Sequence, residues 1–202
     1  GRHVDEHCFM FETNAGVTGL NYQRLKEIFY PNEGYDVIEK ELQQLKNNQS
    51  CIASLGSLVA DEKGSMTRGG FIFDVPVTHE ITRAGFIYAA LWDIACSIRE
   101  NYDILRESGK HDKDFIWACG GGFQSPLLRE FISSLTQKHV MVRKGFQQSS
   151  VIGGVIICNE ALGEEQLIAD SPEKSLAKSN EVYLSHYQKW KENRKSIKEI
   201  FN

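Results

Sequence analysis

Apolar positions recur along this chain with two different periods, and the switches between them mark out its elements. Leu20, Leu25, Ile28 and Phe29 fall at helical spacing and stop at Pro31, which predicts a helix over 20–30. Val37, Ile38, Leu42 and Leu45 share one side of a second helix over 35–47. Residues 51–60 and 70–77 read as strands on either side of a polar loop, 61–68. The longest helical pattern, 81–105, carries apolar residues on more than one side, as a central, buried helix does. Residues 7–15 read as an edge strand that runs into a turn at Asn14, Ala15 and Gly16.

From 115 onward the pattern alternates: strand 115–119, helix 125–137, strand 139–143, helix 149–162. Strands alternating with helices at this spacing argue for an α/β layer. A polar linker, 163–179, leads to a terminal helix through Lys198. On it Tyr183, Tyr187, Trp190, Arg194 and Ile197 form a stripe expected to be a packing face.

Composition narrows the class. With 202 residues, 41% of them hydrophobic and 25% charged, the chain is an ordinary globular sequence, long enough for one substantial domain or two small ones. Its net charge of −4 argues against nucleic acid or an anionic membrane as the main partner. No apolar run approaches the roughly 18 residues of a membrane span, and residues 1–15 do not read as a signal peptide. The five cysteines (Cys8, Cys51, Cys96, Cys119, Cys158) are scattered, and four lie within or beside apolar runs. They read as reduced thiols acting as small buried hydrophobes in a cytoplasmic protein. His3, His7 and Cys8 lack a fourth ligand and do not read as a metal site.

Three consecutive glycines carry the first chemical signal. Gly120, Gly121 and Gly122 follow the apolar run Phe115, Ile116, Trp117, Ala118 and open onto a helix-forming segment; a second pair, Gly153 and Gly154, follows later. Glycine tolerates positive φ and close approach of a ligand to the backbone. A helix beginning near Ser125 and Pro126 directs unpaired amides and a positive dipole end at the loop. A flat, phosphorylated ligand suits such a place, and so does a plain strand-to-helix turn.

The order of motifs resembles a known family. The run Gly120-Gly-Gly-Phe-Gln-Ser-Pro-Leu-Leu, then helix, strand and Gln148-Ser-Ser-Val-Ile-Gly153, resembles the carboxy-terminal domain of FGGY carbohydrate kinases. Arg68-Gly-Gly-Phe-Ile, Arg83-Ala84 and the tail Tyr183-x3-Tyr187-x2-Trp190 agree with it in order and spacing. The resemblance implies an α/β, actin-like or ribonuclease-H-like ATPase domain with a mixed sheet flanked by helices, spanning 1–202 as a single domain. It implies ATP and Mg²⁺ as cofactors, with Gly121 and Gly122 along the adenine and ribose and Gly120 and Ser125 beside them. Gly19 and Gln23 match a glycine and a glutamine that approach ribose and phosphates, and Gly16 shares that turn.

It also implies that the sugar-binding residues and the catalytic aspartate lie in an amino-terminal lobe outside these residues, so that this part alone is inactive. No catalytic residue is therefore assigned here: Asp5, Glu6, Glu12, Asp61 and Asp74 read as solvated surface carboxylates. The partners implied are ATP or ADP and a small sugar or polyol. A lobe with its cleft wall open to water is also expected to dimerise.

The sequence departs from the family at Ile87 and Tyr88, where Glu-Gly is usual, and at Phe73, Phe123 and Gln148. The loop Gly-Glu-Arg-x-x-Pro is replaced by Gly56-Ser-Leu-Val-Ala-Asp. These departures keep open a second class, a non-catalytic actin-like module that binds nucleotide or a partner. A dinucleotide-binding oxidoreductase fits poorly, because the triplet is not Gly-x-Gly-x-x-Gly and the strand at 140–144 ends in basic residues.

Overall fold

Strand β1 (Cys51–Ser54) is buried at all four positions, the pattern of a strand covered on both faces. It pairs antiparallel with β2 (Gly70–Phe73), Cys51 opposite Phe73 and Ser54 opposite Gly70. The computed structural model describes residues 7–45, 50–60, 66–109, 113–164, 171–177 and 181–201. It divides into two compact units, residues 1–112 with 180–202, and residues 113–179.

The first unit is built around α3 (Arg83–Ser108), which packs on β1 and is met by α1 (Thr18–Phe29), α2 (Tyr35–Gln44) and α6 (Glu181–Phe201). Ala84, Ala89, Ala90 and Ala95 are all buried in α3, and such small side chains let neighbouring elements approach closely. Trp92 and Leu91 are fully enclosed, as the sequence expectation of a central helix requires. The α6 stripe is a packing face: Trp190, Arg194 and Ile197 are buried, together with His186.

A clamp ties the α1–α2 corner to the first residue of α3. Arg83 donates to Glu33 at 2.9 Å and to both carboxylate oxygens of Glu41, and its guanidinium lies 4.1 Å from the centre of the Tyr30 ring. Tyr30 is itself buried and donates to Glu41 at 2.7 Å. These bonds hold the Glu41 carboxyl below its ordinary value, Arg83 contributing most.

Several sequence expectations shift. Residues 7–15 form no strand: Phe9 makes an isolated bridge, and Phe9 and Phe11 lie exposed. β1 stops at Ser54, well short of 60, because the Leu55 amide bonds to the Asp93 carboxylate and Gly56 turns the chain at φ +81°. β2 stops before Pro76, which has no N–H to give a ladder.

The second unit is a three-stranded mixed sheet in the order β3-β4-β5. β3 (Phe115–Trp117) runs parallel to β4 (His139–Val142), and β5 (Glu173–Ser175) antiparallel to it. A parallel neighbour needs a crossover, and α4 (Pro126–Thr136) supplies it, burying Leu128, Phe131, Ile132 and Leu135. Val140 and Val142 of the central strand are buried in alternation. β5 lies inside the stretch read as a linker; its polar sequence, Glu-Lys-Ser, hides its role as an edge strand.

The last helix of this unit, α5 (Ser149–Leu162), has no buried residue. Burial of the cysteines is corrected accordingly: Cys51 and Cys96 are buried, whereas Cys8, Cys119 and Cys158 are exposed, because an apolar run on a surface helix or turn does not enclose its cysteine. Burial alone pushes the Cys51 thiol up to about 11.

Candidate functional site

The glycine triplet sits where the chain leaves the parallel edge of the sheet. After β3, Ala118 donates to Met141 at 2.8 Å, and Gly120 turns at φ +100°, a conformation open to glycine and costly for other residues. The Gly120 amide bonds to the Phe146 carbonyl at 2.7 Å, fixing the turn against the loop that follows β4. Gly121–Gln124 then form one turn of 3-10 helix, and Ser125 caps α4, its Oγ accepting from the Leu128 amide at 3.5 Å.

Space around the triplet is informative. A Cβ on Gly121 would meet only Gln124 Nε2 at 3.9 Å, and one on Gly122 only Leu128 Cδ2 at 3.9 Å. Among the described residues, packing does not require glycine at these two positions, and the room beside them is unused. Ser125 differs: it is buried, and its hydroxyl is engaged in the helix cap.

Gly16, Gly19 and Gln23 belong to the other unit, at the start of α1. Gly16 turns at φ +75°, its amide held by Asn14 Oδ1 at 2.7 Å, and a Cβ there would press on Leu58 at 3.0 Å. Gly19 faces open space, and Gln23 is exposed and donates to Glu27 at 3.1 Å. Of the carboxylates read as surface groups, Glu12 and Asp74 are exposed; Asp5, Glu6 and Asp61 lie outside the described residues, as does His3. Among the described residues no group of three His, Cys, Asp or Glu side chains could hold a metal ion.

A second feature was not read from the sequence. An open cleft of about 280 Å³ lies beside α1, walled by Asn21, Arg24 and Leu25, by Leu55 and Gly56, and by the run Met66 to Gly69 that leads into β2. Asn21, Arg24 and Leu25 stand at positions i, i+3 and i+4, one face of the helix. Gly19 and Gln23 lie on the opposite face by the same geometry. The i, i+3, i+4 spacing was legible; that it meets residues 66–69 was not.

Comparison with known proteins places these elements. The C-terminal domain of the FGGY family of carbohydrate kinases matches residues 64–162. A protein of Bacillus subtilis (strain 168) named as a sugar kinase, YoaC, is 45% identical over 191 residues, 94% of this chain and 39% of that protein. The chain carries the C-terminal domain of the FGGY carbohydrate kinases. It spans well under half the length of that relative.

Solved structures agree on the fold of the FGGY domain. A Plasmodium falciparum glycerol kinase with ADP is similar at a TM-score of 0.69 and 16% identity, over 92% of this chain and 37% of that one. A xylulose kinase from Rhodospirillum rubrum is similar at 0.67 and 16%, over 91% and 38%. The fold is that of the actin-like ATPases, mixed α/β with helices flanking mixed and antiparallel strands. Where the sequence of the FGGY domain departs from its family, packing accounts for two positions. Ile87 is fully enclosed in α3, and Phe73 packs against the core of Cys51, Ala53 and Ala89.

Proposed function

We propose that this chain is the nucleotide-binding part of an ATP-dependent carbohydrate kinase that transfers the γ-phosphate to a sugar or polyol hydroxyl. The observation that carries the reading is the turn at Gly120, Gly121 and Gly122, with open room beside two glycines that the fold does not itself require. Phosphoryl transfer relies on positioning and charge stabilisation, and backbone amides without side-chain bulk suit the nucleotide end of that task. Gly121 and Gly122 would lie along the adenine and ribose, with Gly120 and the capped start of α4 at Ser125 framing them. Gly19, Gln23 and Gly16 would serve the ribose and phosphates.

Mg²⁺ would arrive with the nucleotide's phosphates, neutralising their charge, and no step is assigned to it here. The sugar and the catalytic base belong to residues outside this chain, so these residues alone are inactive in this reading. Among the described residues no helix is long and apolar enough to cross a membrane. Cytoplasmic placement and self-association remain part of the proposal, the latter read by light scattering over a range of concentrations.

The test is an NMR titration with Mg·ADP that follows the amides of Gly120, Gly121, Gly122 and Ser125. Saturable shifts centred on these amides support the nucleotide lobe. Silence there, with the fold intact, counts for the non-catalytic module instead.

A further inference from the structure

We propose that the cleft beside α1 is a recognition site for the phosphoryl group of a small organic phosphate. Two guanidinium groups, Arg24 and Arg68, line it, and among the described residues its lining contains no carboxylate. Among the described residues neither arginine forms an ion pair; Arg68 rests 5.7 Å from the centre of the Phe201 ring. In a chain of net charge −4, two cations without acidic partners among the described residues make a local positive field in one concavity. Arginine's planar fork of donors matches phosphate oxygens two at a time, which a lysine cannot reproduce.

The remaining lining suits the rest of such a molecule. Thr67 and Asn21 bring hydrogen-bonding groups, and Leu25 and Met66 bring apolar surface for a carbon skeleton. The volume, about 280 Å³, is of the order of nine water molecules at roughly 30 Å³ each. Inorganic phosphate would fill only part of it.

The wall is also preorganised. Asn21 Nδ2 donates to the Leu55 carbonyl at 2.9 Å, and the Leu55 amide is held by Asp93 Oδ2 at 3.2 Å. Gly69 can carry no side chain, since a Cβ would lie 2.1 Å from the Ser54 carbonyl oxygen, so backbone forms that edge. The inference stands apart from the proposed nucleotide turn, which lies in the other unit, and from Gly19 and Gln23, which occupy the opposite face of α1.

The experiment is an NMR titration of the chain with three probes in turn: inorganic phosphate, glucose 6-phosphate and Mg·ADP. Saturable shifts are expected at the Thr67 and Gly69 amides with the first two, at lower concentration for glucose 6-phosphate. Arg24→Gln combined with Arg68→Gln should weaken both by at least about tenfold, and the pair of lysine variants should fall between. Both arginines are exposed, so the unfolding midpoint should hold and report that the fold is intact.

No saturation with either phosphate at millimolar concentration, or equal binding by the glutamine pair, overturns the proposal. So does a response to Mg·ADP alone, which would make the cleft part of the nucleotide site. Shifts at Gly120, Gly121 and Gly122 with Mg·ADP bear only on the proposed function, so the two readings fail separately.

Discussion

Asp93 in the middle of α3 accepts the indole N–H of Trp190 on α6 at 2.8 Å, joining residues 97 positions apart in the chain. Its other oxygen accepts from the Leu55 amide and the Ser57 hydroxyl, both at 3.2 Å. Arg194 completes the knot by donating to the Ser57 carbonyl, while Ser97 and Asn101 donate to the Leu58 carbonyl at 2.6 and 2.8 Å. The segment 55–58, with little regular structure of its own, is thus held by α3 and α6 together. Burial raises the Asp93 carboxyl above its ordinary value, and its three donors and Arg194 pull the other way.

Asp93→Ala should destabilise the protein by about 3 kcal/mol, because it leaves two buried donors and the half-buried Leu55 amide without this acceptor. The same loss should loosen the wall of the cleft at Leu55. Urea unfolding measures the first effect, and amide exchange at Leu55 the second. A variant within about 0.5 kcal/mol of wild type would refute the role given to this carboxylate.

The glycine turn separates fold from binding. Gly120→Ala forces a side chain into φ +100° and ψ 161°, a region open essentially to glycine alone, and should cost on the order of 1–3 kcal/mol. Gly121→Ala adds a Cβ into open room and should leave stability within about 0.5 kcal/mol while weakening Mg·ADP binding. Thermal unfolding and titration of the two variants side by side check both halves. Unchanged affinity in Gly121→Ala would sink the nucleotide assignment at that residue.

Neighbouring glycines at the entry to β2 should behave in opposite ways. A Cβ on Gly69 would lie 2.1 Å from the Ser54 carbonyl oxygen, whereas one on Gly70 meets nothing within 4 Å. Gly69→Ala should therefore cost several kcal/mol, of the order seen for severe overpacking, about 3 kcal/mol. Gly70→Ala should be near neutral. Comparable midpoints for the two variants would contradict the close approach of these strands.

His186 gives the protein an acid-sensitive element. Burial, with a smaller push from Lys189, lowers its imidazole from 6.5 to about 4, and the ring stacks on Trp92 at 4.9 Å. The folded value lies below the unfolded one, so on acidification the unfolded chain takes the proton first. Stability from this group is complete above pH 6.5 and is lost as pH falls toward 4, by up to about 3 kcal/mol. The raised Asp93 carboxyl acts in the opposite sense on the acid side.

His186→Phe keeps a stacked ring, and among the described residues Nε2 has no hydrogen bond to lose. The variant should flatten the stability profile between pH 4 and 6.5. Unfolding free energies measured at several pH values decide it: parallel profiles for the two proteins would exclude His186 as the source.

Sequence alone settled what depends on near neighbours. The helical periods placed α1 through α6 within a few residues, the Tyr183-to-Ile197 stripe identified the packing face of α6, and the glycine triplet marked the turn before α4. Four short motifs in order were enough to indicate the family. Periodicity reports these features because each arises within one or two turns of chain.

Tertiary structure decided what depends on distant partners. The end of β1 is set by Asp93, the polar residues 173–175 become a strand because β4 offers an edge, and Cys119 and Cys158 stay exposed beside apolar neighbours. The arginine-lined cleft exists only because α1 and residues 66–69 come together across more than 40 positions. A hydrogen bond or a cavity of that kind leaves no periodic trace: each residue shows its own character in sequence, and the fold alone supplies its partner.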